Sequence, residues 1–150
     1  MGHDEDAVQL FVDEISDALV RGDYSEINRK SVENRLGWYE AHKDGLELVG
    51  SDVRKGYMLV MLEFMRKDPL EVPVVYEDEE KIVWHSYNWC PILEACNRLG
   101  VDTLDVCWQG EEESVQRMIE KINPKLRFTR NYNKIRPHTD YCEEIIYLEK

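Results

Sequence analysis

The sequence predicts an α+β domain: N-terminal helices followed by a mainly antiparallel sheet of about four strands, with a helical insertion between strands two and three. Three observations carry that expectation. Apolar residues recur at helical spacing through the first 68 positions; after Pro69 they gather in short β-branched and aromatic runs; and a second pair of such runs closes the chain after further helical segments. The helical part is expected over about 4–68, and the sheet with its insertion over about 71–149. A chain of 150 residues is long enough to close one core without disulfide staples, so one domain is expected.

Each element has its own reason. Val8, Phe11, Val12, Ile15, Ala18 and Leu19 follow a helical stripe, and Gly22 ends it. A second helix is expected over "SEINRKSVENRLGWYEAHK", weakened by Gly37 and by an irregular apolar face. Ser51 is a good N-cap for a third, which runs to the stop at Asp68-Pro69 and is apolar nearly all round in its second half, a sign of burial. The runs "EVPVVY" and "KIVWHSY" flank the polar tetrad Glu77-Asp78-Glu79-Glu80 and read as a hairpin. Helix returns at Pro91 and stops at Gly100; Asp102 caps a short turn holding Cys107. An amphipathic helix with Val115, Met118, Ile119 and Ile122 follows, up to Asn123-Pro124. Strand-like "KLRFTRNYN" and "DYCEEIIYL" complete the chain around the turn-prone "KIRPHT". The strands are thus expected at about 72–76, 81–88, 125–133 and 141–148. The competing architecture is a helical unit docked loosely on a separate β-rich half, with a solvent-filled gap between residues 50 and 75.

Thirty-one acidic against 19 basic residues give a net charge of −12, and Lys and Arg are spread along the chain. Such a chain repels phosphate backbones and anionic lipid, which argues against nucleic-acid and membrane-surface roles. The start "MGHDEDAVQLFVDEISDALV" carries acids where a signal peptide needs a positive charge, Asp6 occupies the place of the serine or threonine of a myristoylation motif, and no apolar run has the length of a membrane span. The expected location is cytoplasmic. Four cysteines in a reducing compartment then stand as thiols, metal ligands or catalytic groups rather than disulfides.

The densest chemistry lies in "WHSYNWCPILEAC", residues 84–96. Cys90 follows a strand and precedes Pro91, a residue suited to the first helical position, so Cys90 is the expected N-cap. Backbone N–H groups and the positive end of the helix dipole there favour thiolate. This makes Cys90 the leading nucleophile or metal ligand; the plain alternative is a weak cap half-buried under Trp84 and Trp89. Cys96 lies about 240° further round the helix and shares its side with Ile92, Leu93 and Leu99, which points to the core. Core packing is also the plainer role for Cys107, beside Trp108, and for Cys142, which alternates with Ile146 and Leu148.

Topology nevertheless permits Cys90, Cys107 and Cys142 to meet over one edge of the sheet, with His85 or His138 adding a nitrogen, as zinc or an iron–sulfur cluster would require. The absence of any C-x-x-C pair makes the spacing signal weak. His85, alternating with Val83 and Tyr87, and His138, in a turn, also suit a hydrogen-bonded strand residue and a solvated side chain.

The stretch "NWCPILEACNRLGVDTLDVC", the helix ending in "INPKLRF", and "HTDYCEEIIY" together resemble the L-2-amino-thiazoline-4-carboxylate hydrolase-like family. That family shows a Cys-Pro after a strand, a second cysteine after a short helix, and a late Asp-x-Cys before the last strand. The matching positions are Cys90-Pro91, Cys107, and Asp140 with Cys142, within residues 84–148. More distantly, the chain is similar to small-molecule-binding domains of the 4-vinyl reductase type. The resemblance implies ring-opening C–N hydrolysis of a cyclic amidine-like substrate. Cys90 would serve as nucleophile or metal ligand, His138 and Asp140 would exchange protons, Arg130 or Arg136 would hold a substrate carboxylate, and Trp84 and Trp89 would supply aromatic contact.

Two other classes of function use the same residues differently. A non-catalytic sensor of a small ligand or metal needs the cysteines and aromatics but no acid–base pair. An interaction module needs neither, and would present the acidic N-terminus and the acidic helix at "GEEESVQ", with a homodimer formed through a sheet edge or the first helix.

Overall fold

The computed structural model describes residues 4–150, so the Met1-Gly2 start lies outside the described residues. Helix α1 (Glu5–Arg21) starts where the Asp4 carboxylate accepts from the N–H groups of Asp6 and Ala7 at 3.0 and 3.1 Å, and ends at Gly22 with φ 82°. Val8, Ile15 and Ala18 are buried, whereas Leu19, expected on the same stripe, is half exposed. Helix α2 (Ser25–His42) continues through Gly37 and has no wholly apolar face, because polar Arg35 sits on its inner side together with Ile27, Trp38 and Tyr39.

Ser51 caps α3 (Asp52–Tyr57), its hydroxyl accepting from Arg54 N–H at 3.2 Å. From Met58 to Phe64 the helix widens to a π-helical turn, in which Met65 N–H reaches the Val60 carbonyl at 3.1 Å. The expected run to Asp68 therefore stops early, and Arg66 takes a left-handed φ of 53° just beyond it. Residues of both helical turns share one buried cluster with Val72, whose carbonyl accepts from Tyr57 Oη at 2.7 Å. The helical part is thus bonded directly to the sheet half across residues 50–75.

Strands β1 (Val74–Glu77), β2 (Lys81–Ser86), β3 (Leu126–Arg130) and β4 (Cys142–Leu148) form one antiparallel sheet in the order β1-β2-β4-β3. The α+β architecture is as the sequence predicts. Between β2 and β3 run α4 (Pro91–Leu99), α5 (Thr103–Gly110) and α6 (Glu112–Ile119). Gln116 clamps α6 to the edge strand, accepting from Phe128 N–H at 2.8 Å and donating to the Leu126 carbonyl at 2.9 Å. Among the described residues no helix is long and apolar enough to cross a membrane.

Among the described residues the buried apolar side chains form two clusters where the sequence predicts one core. The larger joins the sheet's inner face (Ile82, Trp84, Leu126, Phe128, Ile146) to α3, the π-helical turn and α6. The smaller lies among α1, α2, α4 and α5, around Val8, Ile15, Cys96 and Val106. Charged side chains separate them: register places Arg130 opposite Glu144 and Ser86 opposite Cys142, so the sheet's inner face turns from apolar to polar along its length. The polar end meets the junction of the two clusters.

Candidate functional site

At that junction lies a cavity of about 100 Å³. Its walls come from both halves of the fold: Arg35 from α2, Met61 and Met65 from the π-helical turn and its end, Asn88 and Cys90 from the β2–α4 connection, Cys107 and Glu111 from α5 and its C-cap, Arg130 from β3, Arg136 from the β3–β4 connection, and Cys142 and Glu144 from β4. Three arginines and two glutamates therefore face one small space in a chain of net charge −12.

The charges are held by fixed contacts. Arg130 Nε lies 3.3 Å from Glu144 Oε2, with both side chains about nine-tenths buried, and the Ser86 hydroxyl donates to the other carboxylate oxygen. Burial works against the Arg130 charge; the Glu144 carboxylate, Cys107 and Tyr132 together outweigh that and raise its pKa. Arg35 Nε donates to Ser114 Oγ at 3.0 Å, and its guanidinium lies 4.6 Å from the Phe64 ring centre. Burial holds the Arg35 pKa below its ordinary value, and Arg130 nearby acts in the same direction. Glu111, whose carboxylate accepts from Ser31, is pushed up by burial, with Arg35 opposing. Arg136 spans the mouth of the β2–α4 connection: Nη1 donates to the Asn88 carbonyl, while Nε and the backbone N–H each approach Cys142 Sγ at 3.5 Å. Thr103 Oγ1 ties the Arg136 carbonyl to the start of α5.

Two buried polar atoms on this lining lack a hydrogen-bond partner among the described residues: Arg35 Nη1 and Asn88 Oδ1. Asn88 is only 3% exposed. Its Nδ2 donates to the Trp89 carbonyl at 3.3 Å, which fixes the orientation of the amide, since a carbonyl can accept only from the NH₂ end.

The sequence-derived candidates divide sharply. Cys90, Cys107, Cys142, Arg130 and Arg136 all line the cavity, and the three sulfurs lie within electrostatic reach of one another. Cys90 is the N-cap of α4, yet no side-chain capping bond forms. The expected depression of its pKa is reversed: burial pushes the thiol up, and the N–H groups of Leu93 and Ile92 with Arg136 offset this only in part. Burial likewise raises Cys107. Cys96 is fully buried in the smaller cluster, its pKa pushed up to about 12 by burial.

His85 belongs to the other face of the sheet. It stacks on Tyr141 with ring centres 3.9 Å apart and bonds Glu143 Oε2 through Nε2 at 2.9 Å. Among the described residues no group of three or more His, Cys, Asp or Glu side chains is arranged to hold a metal ion. The ligand set Cys90, Cys107, Cys142 and His85 is thus corrected: strand parity places the histidine on the face opposite Cys142, and the Arg136 guanidinium lies against the Cys142 sulfur.

His138 and Asp140 are corrected as well. His138 is exposed and pairs with Asp102 Oδ2 at 2.9 Å, and Asp140 is exposed; neither lines the cavity. Trp84 is fully buried in the larger cluster between Tyr57 and Phe128, and Trp89 packs against the smaller one, so neither contributes to the cavity wall.

Arg35, Asn88, Glu111 and Glu144 complete the site without having been singled out by sequence. Glu144 carried a signal, since it alternates with Cys142 and Ile146 on an inward strand face. Glu111 opens the "EEES" run expected to be exposed, and is instead 7% exposed. Comparison of the chain with protein-family models, curated proteins and solved structures finds no match, so the cavity's own chemistry carries the functional reading.

Proposed function

We propose that this is a small-molecule-binding domain whose ligand is a small anion, a carboxylate above all, taken up between Arg35, Arg130 and Arg136. One observation carries the reading: three guanidinium groups from three separate elements converge on one cavity of a strongly acidic chain. Arg130 is largely neutralised by Glu144, whereas Arg35 keeps a donor without a partner among the described residues. A buried guanidinium with an open donor is a carboxylate site in waiting, because leaving it unmatched costs free energy that an anion recovers. The apolar part of the lining, with Met61, Met65, Ile92 and Val115, would accept a short hydrocarbon portion.

A second reading has the cavity also act on its ligand. It is favoured by Cys90, which lines the cavity: burial raises its thiol pKa, but the first N–H groups of α4 and Arg136 act in the opposite direction. Hydrolysis in the manner of the thiazoline carboxylate enzymes would then need Glu111, whose raised pKa suits a proton donor, in place of His138 and Asp140.

Thermal unfolding in the presence of acetate, propionate and phosphate tests the binding reading. A carboxylate should raise the midpoint in proportion to the logarithm of its concentration, and Arg35→Gln should abolish the rise. No rise with any anion overturns it. Incubation with cyclic amidines and N-carbamoyl amino acids tests turnover, which Cys90→Ser should abolish.

A further inference from the structure

The geometry points to a narrower ligand class: a short hydroxycarboxylate. This rests on the anion-binding reading and adds to it the second open atom of the cavity. Arg35 Nη1 is a buried donor in need of an acceptor, and Asn88 Oδ1 is a buried acceptor in need of a donor. A plain carboxylate answers the first and leaves the second facing its own negative charge. A neutral alcohol or amide answers the second and leaves the guanidinium groups without an anion. A molecule carrying both an anionic group and a hydrogen-bond donor satisfies the pair and the positive charge around it together.

The donor is a hydroxyl rather than an ammonium. An ammonium brings a positive charge and three N–H donors into a space faced by Arg35, Arg130 and Arg136. The carboxylates there are engaged: Glu144 by Arg130 and Ser86, and Glu111 by Ser31, with burial favouring its neutral form. A hydroxyl brings one donor and no charge, which is what the single open carbonyl of Asn88 can take. Size sets the remaining limit. A dry cavity of about 150 Å³ accommodates benzene, so about 100 Å³ suits a ligand of a few heavy atoms.

Isothermal titration of the intact chain with matched acids decides the matter: glycolate against acetate, lactate against propionate, and L-alanine as the amine counterpart. The hydroxy acid should bind roughly five- to 100-fold more tightly than its deoxy partner, the ratio expected when a buried acceptor is otherwise left unsatisfied. Asn88→Ala should collapse that ratio towards one, because it removes the side-chain carbonyl and leaves in place the backbone carbonyl that Arg136 holds. The matched-pair ratio in the unmutated chain needs no variant and stands even if Asn88→Ala fails to fold. Equal affinity within each pair overturns this inference and leaves the anion reading intact. L-Alanine binding as tightly as lactate overturns the choice of hydroxyl. Absence of binding by every acid overturns the anion reading itself.

Discussion

Glu143 and Glu144 are adjacent in β4 and face opposite sides of the sheet. Glu143 looks outward, where it meets His85 Nε2 at 2.9 Å, Asn131 Nδ2 at 3.2 Å and Lys134 Nζ at 3.9 Å. Glu144 looks inward, to Arg130, Ser86 and the cavity. Both carboxylates are paired, but the outer pairing borders solvent while the inner one replaces solvent. Strand parity alone turns one glutamate into surface electrostatics and its neighbour into part of a candidate binding site.

The contrast predicts unequal costs. Arg130→Met should destabilise the chain most, by about 3–5 kcal/mol, because it strands the Glu144 carboxylate in the interior. Urea denaturation measures this, and the double variant Arg130→Met with Glu144→Leu should regain most of the loss. A double variant as unstable as the single one would mean that the pair is not the source.

Cys96→Ser should come next, at about 1–3 kcal/mol, by placing a hydroxyl in the fully buried smaller cluster. Native Cys96 should also resist thiol reagents that unfolding exposes, and rapid labelling in the folded state would contradict its burial.

The pH dependence should separate the two sides in sign. Glu111, inward-facing, is raised above its ordinary value near 4.5 by burial, so the folded state holds a proton that the unfolded chain releases. Its contribution is therefore fully present below about 4.5 and declines as pH rises towards the folded pKa, and Glu111→Gln should remove that decline. Burial alone would raise Glu143, but hydrogen bonds from His85 and Asn131, with Lys134, lower its pKa. Its contribution is present above about 4.5 and is lost as pH falls through the depressed value. Denaturation curves from pH 3 to 7 should show Glu111→Gln and Glu143→Gln departing from the parent at opposite ends.

The smallest effect is expected at the outer face. His85→Ala should cost no more than about 1 kcal/mol in stability and leave ligand affinity unchanged. A loss of affinity would place the outer face in communication with the cavity.

Most of the fold was legible in the sequence because its signals are local. Ser51 and Asp102 announce their helices through their own side chains, and the acidic tetrad that begins at the last residue of β1 marks its turn. Parity in β2 also placed His85 on the side of Val83, away from Cys142, although the metal expectation set that aside. The candidate site was half legible. Cysteines and the inward Arg130 stand out by residue type and alternation, but Arg35 sits on a helix whose face is mixed, and Glu111 looks like one more acid in an acidic run. Which member of a charged stretch turns inward is settled by partners distant in the chain, Ser114 for Arg35 and Ser31 for Glu111, and a one-dimensional pattern does not contain them.

The strand order β1-β2-β4-β3 carries one more consequence. β4 is the last strand in sequence and lies between two earlier ones. The β1–β2 hairpin can assemble from neighbouring residues, but β3 has no partner until residues 142–148 arrive, and the inner edge of β2 stays open until then. A nascent chain paused after β3 would therefore hold Arg130 without its carboxylate and two unpaired strand edges, a form open to chaperones and to self-association. Final docking of β4 closes the sheet and completes the cavity in one step, so the ability to bind a ligand should appear only with the fully assembled sheet.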